Sequence, residues 1–188
     1  MSNHSEMQTG SGLLSFNFCT RDEFSHARLP EDLRSGSMDA FSHLVSDYKT
    51  LVFQFFHRLS VDNAFAEASA EMVFVRAFRA RRILRKSTDL TSWIFRIACS
   101  LAKRLAPAGS GNCGVDGRPP IQRAMAALPE EKRIAILLHR FAGLDPVQIG
   151  SVLRLPERLA WRVVRESYSA LHEQLLLITA NTTTVESL

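Results

Sequence analysis

Residues 73–104 read VFVRAFRARRILRKSTDLTSWIFRIACSLAKR, and no other stretch limits the possible folds of this chain so tightly. Leu90, Trp93, Ile94, Ile97, Ala98, Leu101 and Leu105 recur at three- and four-residue steps. That spacing is the apolar stripe of an amphipathic helix. Between Arg76 and Arg104 nine basic residues stand against a single acid, Asp89. A helix with one buried face and one densely basic face calls for a polyanion on its outer side. A merely solvated charged face is the alternative. The one-sidedness of the run and the aromatic residues Trp93 and Phe95 within it favour nucleic acid.

The rest of the composition localises that charge. The chain has 188 residues, 46% of them hydrophobic, with a net charge of +4 and an isoelectric point near 9.3. Residues 1–37 and 38–75 each carry more acids than bases, so the basicity sits in the middle of the chain and reads as a binding face rather than a tail. Cys19, Cys99 and Cys113 form no Cys-x-x-Cys pair, and no two of the six histidines stand four apart. No metal site and no disulfide framework are expected, and no cofactor. The polar N-terminus and the absence of a long apolar run predict no signal peptide and no membrane span, hence a cytoplasmic protein. A Gly-rich phosphate loop, a Ser nucleophile elbow and a carboxylate pair supported by His are all missing, so binding rather than catalysis is expected.

Along the chain the pattern is helical throughout. Residues 1–37 read as a loosely structured extension with an apolar patch at Leu13, Leu14, Phe16 and Phe18. Phe41, Leu44, Val45, Tyr48, Val52, Phe55, Phe56 and Leu59 predict a first long helix, with Ser37 or Asp39 as its cap. A second is expected from Ala64 to about Arg85 and a third from Ser87–Asp89 to Leu105, stopped by Pro107. The run APAGSGNCGVDGRPP is a Gly- and Pro-rich linker. Beyond it a helix follows Leu128-Pro129 and ends near Gly143. Asp145-Pro146-Val147-Gln148 is a helix start with a carboxylate cap, Pro at the first turn and Gln at the third position. A short helix, a break at Arg154-Leu155-Pro156 and a helix to about Leu177 form a helix-turn-helix pattern, with a polar tail from Thr179.

Three of these stretches carry a family resemblance. Glu71–Phe78 reads EMVFVRAF, Thr91–Ala98 reads TSWIFRIA, and LPEEKRIAILLHRFAGLDPVQIGSVLRLP begins at Leu128. In this order and at these separations they resemble the extracytoplasmic-function (ECF) group of bacterial RNA polymerase sigma factors, over about Met38–Gln174. The resemblance implies an all-α chain with two small helical domains joined by a flexible linker. The first would be a three-helix sigma region 2-like domain at 38–106. A linker at 107–120 would lead to a sigma region 4-like helix-turn-helix domain at 121–178, with an extension at 1–37 and a tail at 179–188. It implies promoter-specific transcription initiation, with core RNA polymerase, promoter DNA and an anti-sigma factor as partners. The alternative is a sigma-like interaction protein that titrates a sigma regulator without opening DNA. The sequence departs from the family pattern at Ala68, Met72, Cys99-Ser100 and Arg154.

Candidate sites follow. On the third helix Phe95 is expected to face outward beside Arg96, an aromatic for an unstacked base next to a cation for its phosphate. Arg81, Arg82, Arg85, Lys86 and Lys103 add phosphate ligands, and Trp93 reads as core. On the last helix Arg158 and Arg162 share a face fit for a major groove. Arg154 and Arg165 flank them as DNA contacts. Trp161 reads equally as a DNA contact or a contact to protein. Ala68, Glu71, Met72 and Val75 form a weak apolar line off the main core face, where the resemblance implies polymerase. Residues 13–18 are expected to cover that line reversibly.

Overall fold

The computed structural model describes residues 28–60, 62–105 and 119–185, with side chains described up to residue 180. Those residues are all-α. The helices are α1 (Leu29–Ser35), α2 (Met38–Ser60), α3 (Asn63–Ala80), α4 (Leu90–Leu105), α5 (Pro120–Ala127), α6 (Glu130–Arg140), α7 (Pro146–Leu153) and α8 (Glu157–Val185). A single 3₁₀ turn, Arg81–Ile83, follows α3. The linker at 106–118 and the apolar stretch Leu13–Phe18 lie outside the described residues.

The first core is built on α2, whose Leu44, Tyr48, Val52, Phe55, Phe56 and Leu59 are buried at the predicted helical spacing. The face of α3 that meets it is small, with Ala66, Ser69, Ala70 and Ala77 around Val73 and Phe74, so the two backbones lie close. Asp62 starts α3 by accepting from the backbone N–H groups of Ala64 and Phe65 at 2.9 and 3.3 Å. Phe55 meets Phe56 and Phe95 edge-on at 5.3 and 5.8 Å between ring centroids. Tyr48 and Thr91 share a 2.8 Å hydroxyl hydrogen bond that pins α2 to the start of α4.

Four local features differ from the sequence expectation. Residues 28–37 are structured: α1 buries Leu29 and Leu33 and ends at Gly36, which takes a left-handed φ of 93°. The second helix stops at Ala80 rather than near Arg85. The reason is Leu84, which is extended (ψ 141°) and buried, so the chain leaves the helix to drop that side chain into the core. Pro120 belongs to a helix, at the first position of α5, where proline has no N–H to lose. The last helix runs on to Val185 instead of fraying at Thr179. No Gly or Pro interrupts 157–185, and the Thr179 hydroxyl is satisfied on the carbonyls of Leu175 and Leu176.

The second half holds the helix-turn-helix. Asp145 and Gln148 form a reciprocal capping box on α7, with bonds of 2.8 and 3.0 Å. A Cβ on Gly150 would sit 3.0 Å from the Ala160 Cβ and 3.1 Å from the Leu155 oxygen, so α7 and α8 cross at a point with room for no side chain there. Arg154 closes α7 in the left-handed region (φ 59°). The two halves share one core. Ile134, Leu137, Leu138, Leu144, Ile149, Val152 and Val164 join the cluster of α2–α4, while Ala124, Leu128, Ile136 and Leu171 form a satellite beneath α8.

Candidate nucleic-acid and polymerase interfaces

The side chains at the start of α8 divide into a buried and an exposed face. Glu157 opens the helix after Pro156, and Ala160, Val164 and Ser167 turn inward. Arg154, Arg158, Trp161, Arg162 and Arg165 are all exposed, Trp161 at 57%. Arg162 makes a loose pair with Glu166 at 3.8 Å between two exposed side chains, a contact weak enough to yield to a phosphate or a base. Four cations and an indole are therefore exposed over the turn and the first three turns of α8.

The basic stretch of the first half is less uniform than its sequence. Arg82, Arg85 and Lys103 are exposed. Lys86 is exposed too, although its ammonium reaches Glu31 of α1 at 2.8 Å. Arg81 is committed internally: its guanidinium lies 4.1 Å from the Phe78 ring centroid, donates to the Phe78 carbonyl at 2.7 Å and packs beside Gly36. It ties α1 to the end of α3 rather than reaching outward. Arg96 is exposed but donates to the Ser151 hydroxyl of α7 at 2.8 Å.

Phe95 is the clear correction. It is 0% exposed and packs against Phe55, so it offers no ring to a base. The expected outward face of α4 is partly inside because the helix is packed by α2, α3 and α7. The buried arc accordingly takes in Ser92, Phe95, Cys99 and Ala102 as well as the predicted stripe. Trp93 is buried. Burial pushes the Cys99 thiol up to about 12, only partly countered by the charge of Lys103 and reinforced by Glu130.

The line on α3 stays open to solvent, with Ala68 and Glu71 exposed and Met72 and Val75 each at 45%. Beside it a shallow groove of about 290 Å³ runs between Met38, Phe41, Phe74, Val75, Phe78 and Arg79. An exposed apolar line joined to an apolar groove on a short helical unit is a candidate surface for another protein.

Sequence reasoning missed the seam between α4 and α7. Asp89 caps α4 by accepting from the Thr91 N–H at 3.0 Å and the Ser92 hydroxyl at 2.6 Å, and it also accepts from the Gln148 side-chain amide at 2.9 Å. Both Asp89 and Gln148 read as caps in the sequence, and nothing there marks them as partners 59 positions apart. Among the described residues no group of three or more His, Cys, Asp and Glu side chains is placed to hold a metal ion, and no helix is long and apolar enough to cross a membrane.

The described residues form an all-α scaffold with a C-terminal helix-turn-helix, whose last helix exposes several arginines, and an N-terminal helical unit with an open apolar line. No family model matches the chain. It is similar to the ECF RNA polymerase sigma factor SigW of Bacillus subtilis, 24% identical over an alignment covering 77% of this chain and 94% of that protein. The RNA polymerase sigma-H factor of Pseudomonas aeruginosa is 26% identical, with 69% of this chain and 82% of that protein covered. Among solved structures, that of CnrH in complex with the cytosolic domain of CnrY superposes with a TM-score of 0.66 at 19% identity, covering 80% of this chain and 97% of that one. These likenesses support an ECF-type sigma factor.

Proposed function

We propose that this protein is a sigma factor that binds core RNA polymerase and directs it to particular promoters. The observation that carries the reading is the coexistence of two independent surfaces. One is the exposed cation–indole face of Arg154, Arg158, Trp161, Arg162 and Arg165 at the helix-turn-helix; the other is the exposed line of Ala68, Glu71, Met72 and Val75 on α3. The first suits base edges and phosphates in a major groove, and the second suits the polymerase. Residues 38–106 and 121–178 are read as the two working domains, with Arg82, Arg85, Lys86, Arg96 and Lys103 as the phosphate ligands of the first. The relatives named above are sigma factors, in keeping with a cytoplasmic, non-enzymatic role in transcription. Run-off transcription with purified core polymerase on a pool of genomic fragments tests the proposal. Initiation at a defined subset of promoters supports it; no initiation at any of them ends it.

A second reading has its own observation. α7 covers part of α4, and Arg96 is held by Ser151, so the first unit is not fully available to DNA in this arrangement. A protein kept in this state would act by occupying a sigma regulator. The solved neighbour was itself captured with the cytosolic domain of a second protein, CnrY. An anti-sigma type of partner for this chain is proposed on the same ground. Binding of such a partner without any transcription by core polymerase would favour this reading over the first.

A further inference from the structure

A cavity of about 360 Å³ opens where the two halves of the chain meet. Its walls come from the end of α2, from α5, from α6 and from α8, so neither half forms it alone. Met125, Leu137 and Leu171 supply apolar wall. Three arginines, Arg58, Arg133 and Arg140, line it together with His57 and Tyr168, with no carboxylate among the lining side chains.

The polar groups are incompletely satisfied. The Arg133 guanidinium donates to the carbonyls of Leu59 and Leu128 through its two terminal nitrogens, at 3.4 and 3.3 Å, while its buried Nε has no partner. Burial pushes Arg133 below its ordinary value, with Glu130 opposing that shift, and among the described residues no carboxylate forms an ion pair with it. His57 stacks on Phe53, and its buried Nδ1 is also without a partner. Arg58 lies over the Phe141 ring, 3.8 Å from its centroid, which fixes a cation at the seam. Volume, apolar wall and a few convergent polar groups at the junction of two units are the attributes of a small-molecule site. Three arginines line the cavity, with the carboxylate of Glu130 acting on Arg133 from outside the lining, and this excess of positive charge selects the sign of the occupant.

We propose that this cavity binds an amphiphilic anion, an apolar chain ending in one carboxylate. Because both halves form the walls, the ligand favours the arrangement in which α7 is docked on α4. The site is independent of the sigma-factor reading and is tested without polymerase or DNA.

The probes are decanoate, 1-decanol and decyltrimethylammonium, each titrated calorimetrically into the full chain below its micelle concentration. Decanoate is expected to bind one-to-one, at least tenfold more tightly than decanol, with no binding of the cationic amphiphile. Met125→Trp fills the cavity and abolishes the binding; Arg140→Gln, on an exposed side chain, weakens decanoate at least threefold and leaves decanol unchanged. Where Met125→Trp lowers the melting temperature, Gln122→Trp at the exposed rim takes its place. Decanoate is also expected to slow amide exchange across residues 146–153 in the parent chain. Equal affinity for decanoate and decanol, or binding that survives both tryptophan variants, overturns the proposal. Binding without protection of 146–153 overturns the claimed coupling to the seam.

Discussion

Arg154 holds a left-handed backbone conformation at which a side chain costs roughly 1 kcal/mol. Arg154→Gly is expected to raise stability by up to about 1 kcal/mol in urea melts, less the extra entropy that glycine loses on folding. If the arginine is retained for a DNA phosphate, the same variant loses affinity for every duplex sequence alike. The departure from the family pattern at this position was legible in the sequence, whereas its φ was not. Cys99 makes a second prediction at this scale. Its folded value, about 12, lies above the ordinary 9.0 because the thiolate would be buried. The protonated thiol therefore supports the fold fully below about pH 9, and that support is lost as the pH climbs towards 12. In a Cys19→Ser, Cys113→Ser variant, Ellman's reagent at pH 8 is expected to label Cys99 only as fast as the chain opens; immediate labelling would show that the thiol is accessible. Arg81 was legible as a cation but not as an internal one, since only the structure puts Phe78 and Gly36 against it. The clean probes of phosphate contact are therefore Arg82→Ala and Arg85→Ala, which are expected to weaken binding uniformly and lower the salt slope by about one each.

Among the helices, α8 carries the sequence-specific prediction. Arg158→Ala and Arg162→Ala are each expected to cost ~1–3 kcal/mol at particular base pairs, measured as cognate against scrambled duplex. Equal losses on both duplexes would move these residues to the phosphate backbone. At the other end, α1 changes what a truncation means. A chain beginning at Ser37 loses Leu29 and Leu33 from the core. Leu33→Ala alone is expected to cost about 2–5 kcal/mol. The test of whether residues 13–18 shield the α3 line is therefore a chain beginning at Arg28, compared for affinity to core polymerase. The long helices were legible because α2 repeats its apolar residues over six turns. Seven-residue α1 was not, since two buried leucines four apart make no period. Phe95 was misplaced for a related reason. A stripe predicts one buried face, whereas α4 is packed by α2 and α3 and, from the far half of the chain, by α7, and Phe95 meets Phe55 of α2.

At the scale of the molecule, the all-helical class and the order of the parts could be read from the sequence, but the docking of the two halves could not. It combines a shared apolar core with polar pairs such as Gln148 with Asp89 and Arg96 with Ser151, 59 and 55 positions apart, whose members have ordinary local explanations. A Gln148→Ala, Ser151→Ala double variant is expected to shift the distance distribution between spin labels on α3 and α8 towards longer separations, with little change in melting temperature. An unchanged distribution would assign the docking to the shared apolar core and to the contacts between α2 and α6. The bonding of Asp89 bears on how such an opening proceeds. When α7 leaves, the carboxylate keeps its bonds to Thr91 and Ser92, and Gln148 keeps the one it accepts from the Asp145 N–H. Separation at this pair exchanges one exposed hydrogen bond for water and strands no polar group. Opening the whole seam must also uncover the apolar residues that the second half shares with α2–α4, so burial of that core, and not this polar pair, sets how rarely it opens. A ligand that needs the covered face of α4 binds with its intrinsic affinity scaled by the open fraction, so a chain open roughly one-tenth of the time binds such a ligand about tenfold more weakly.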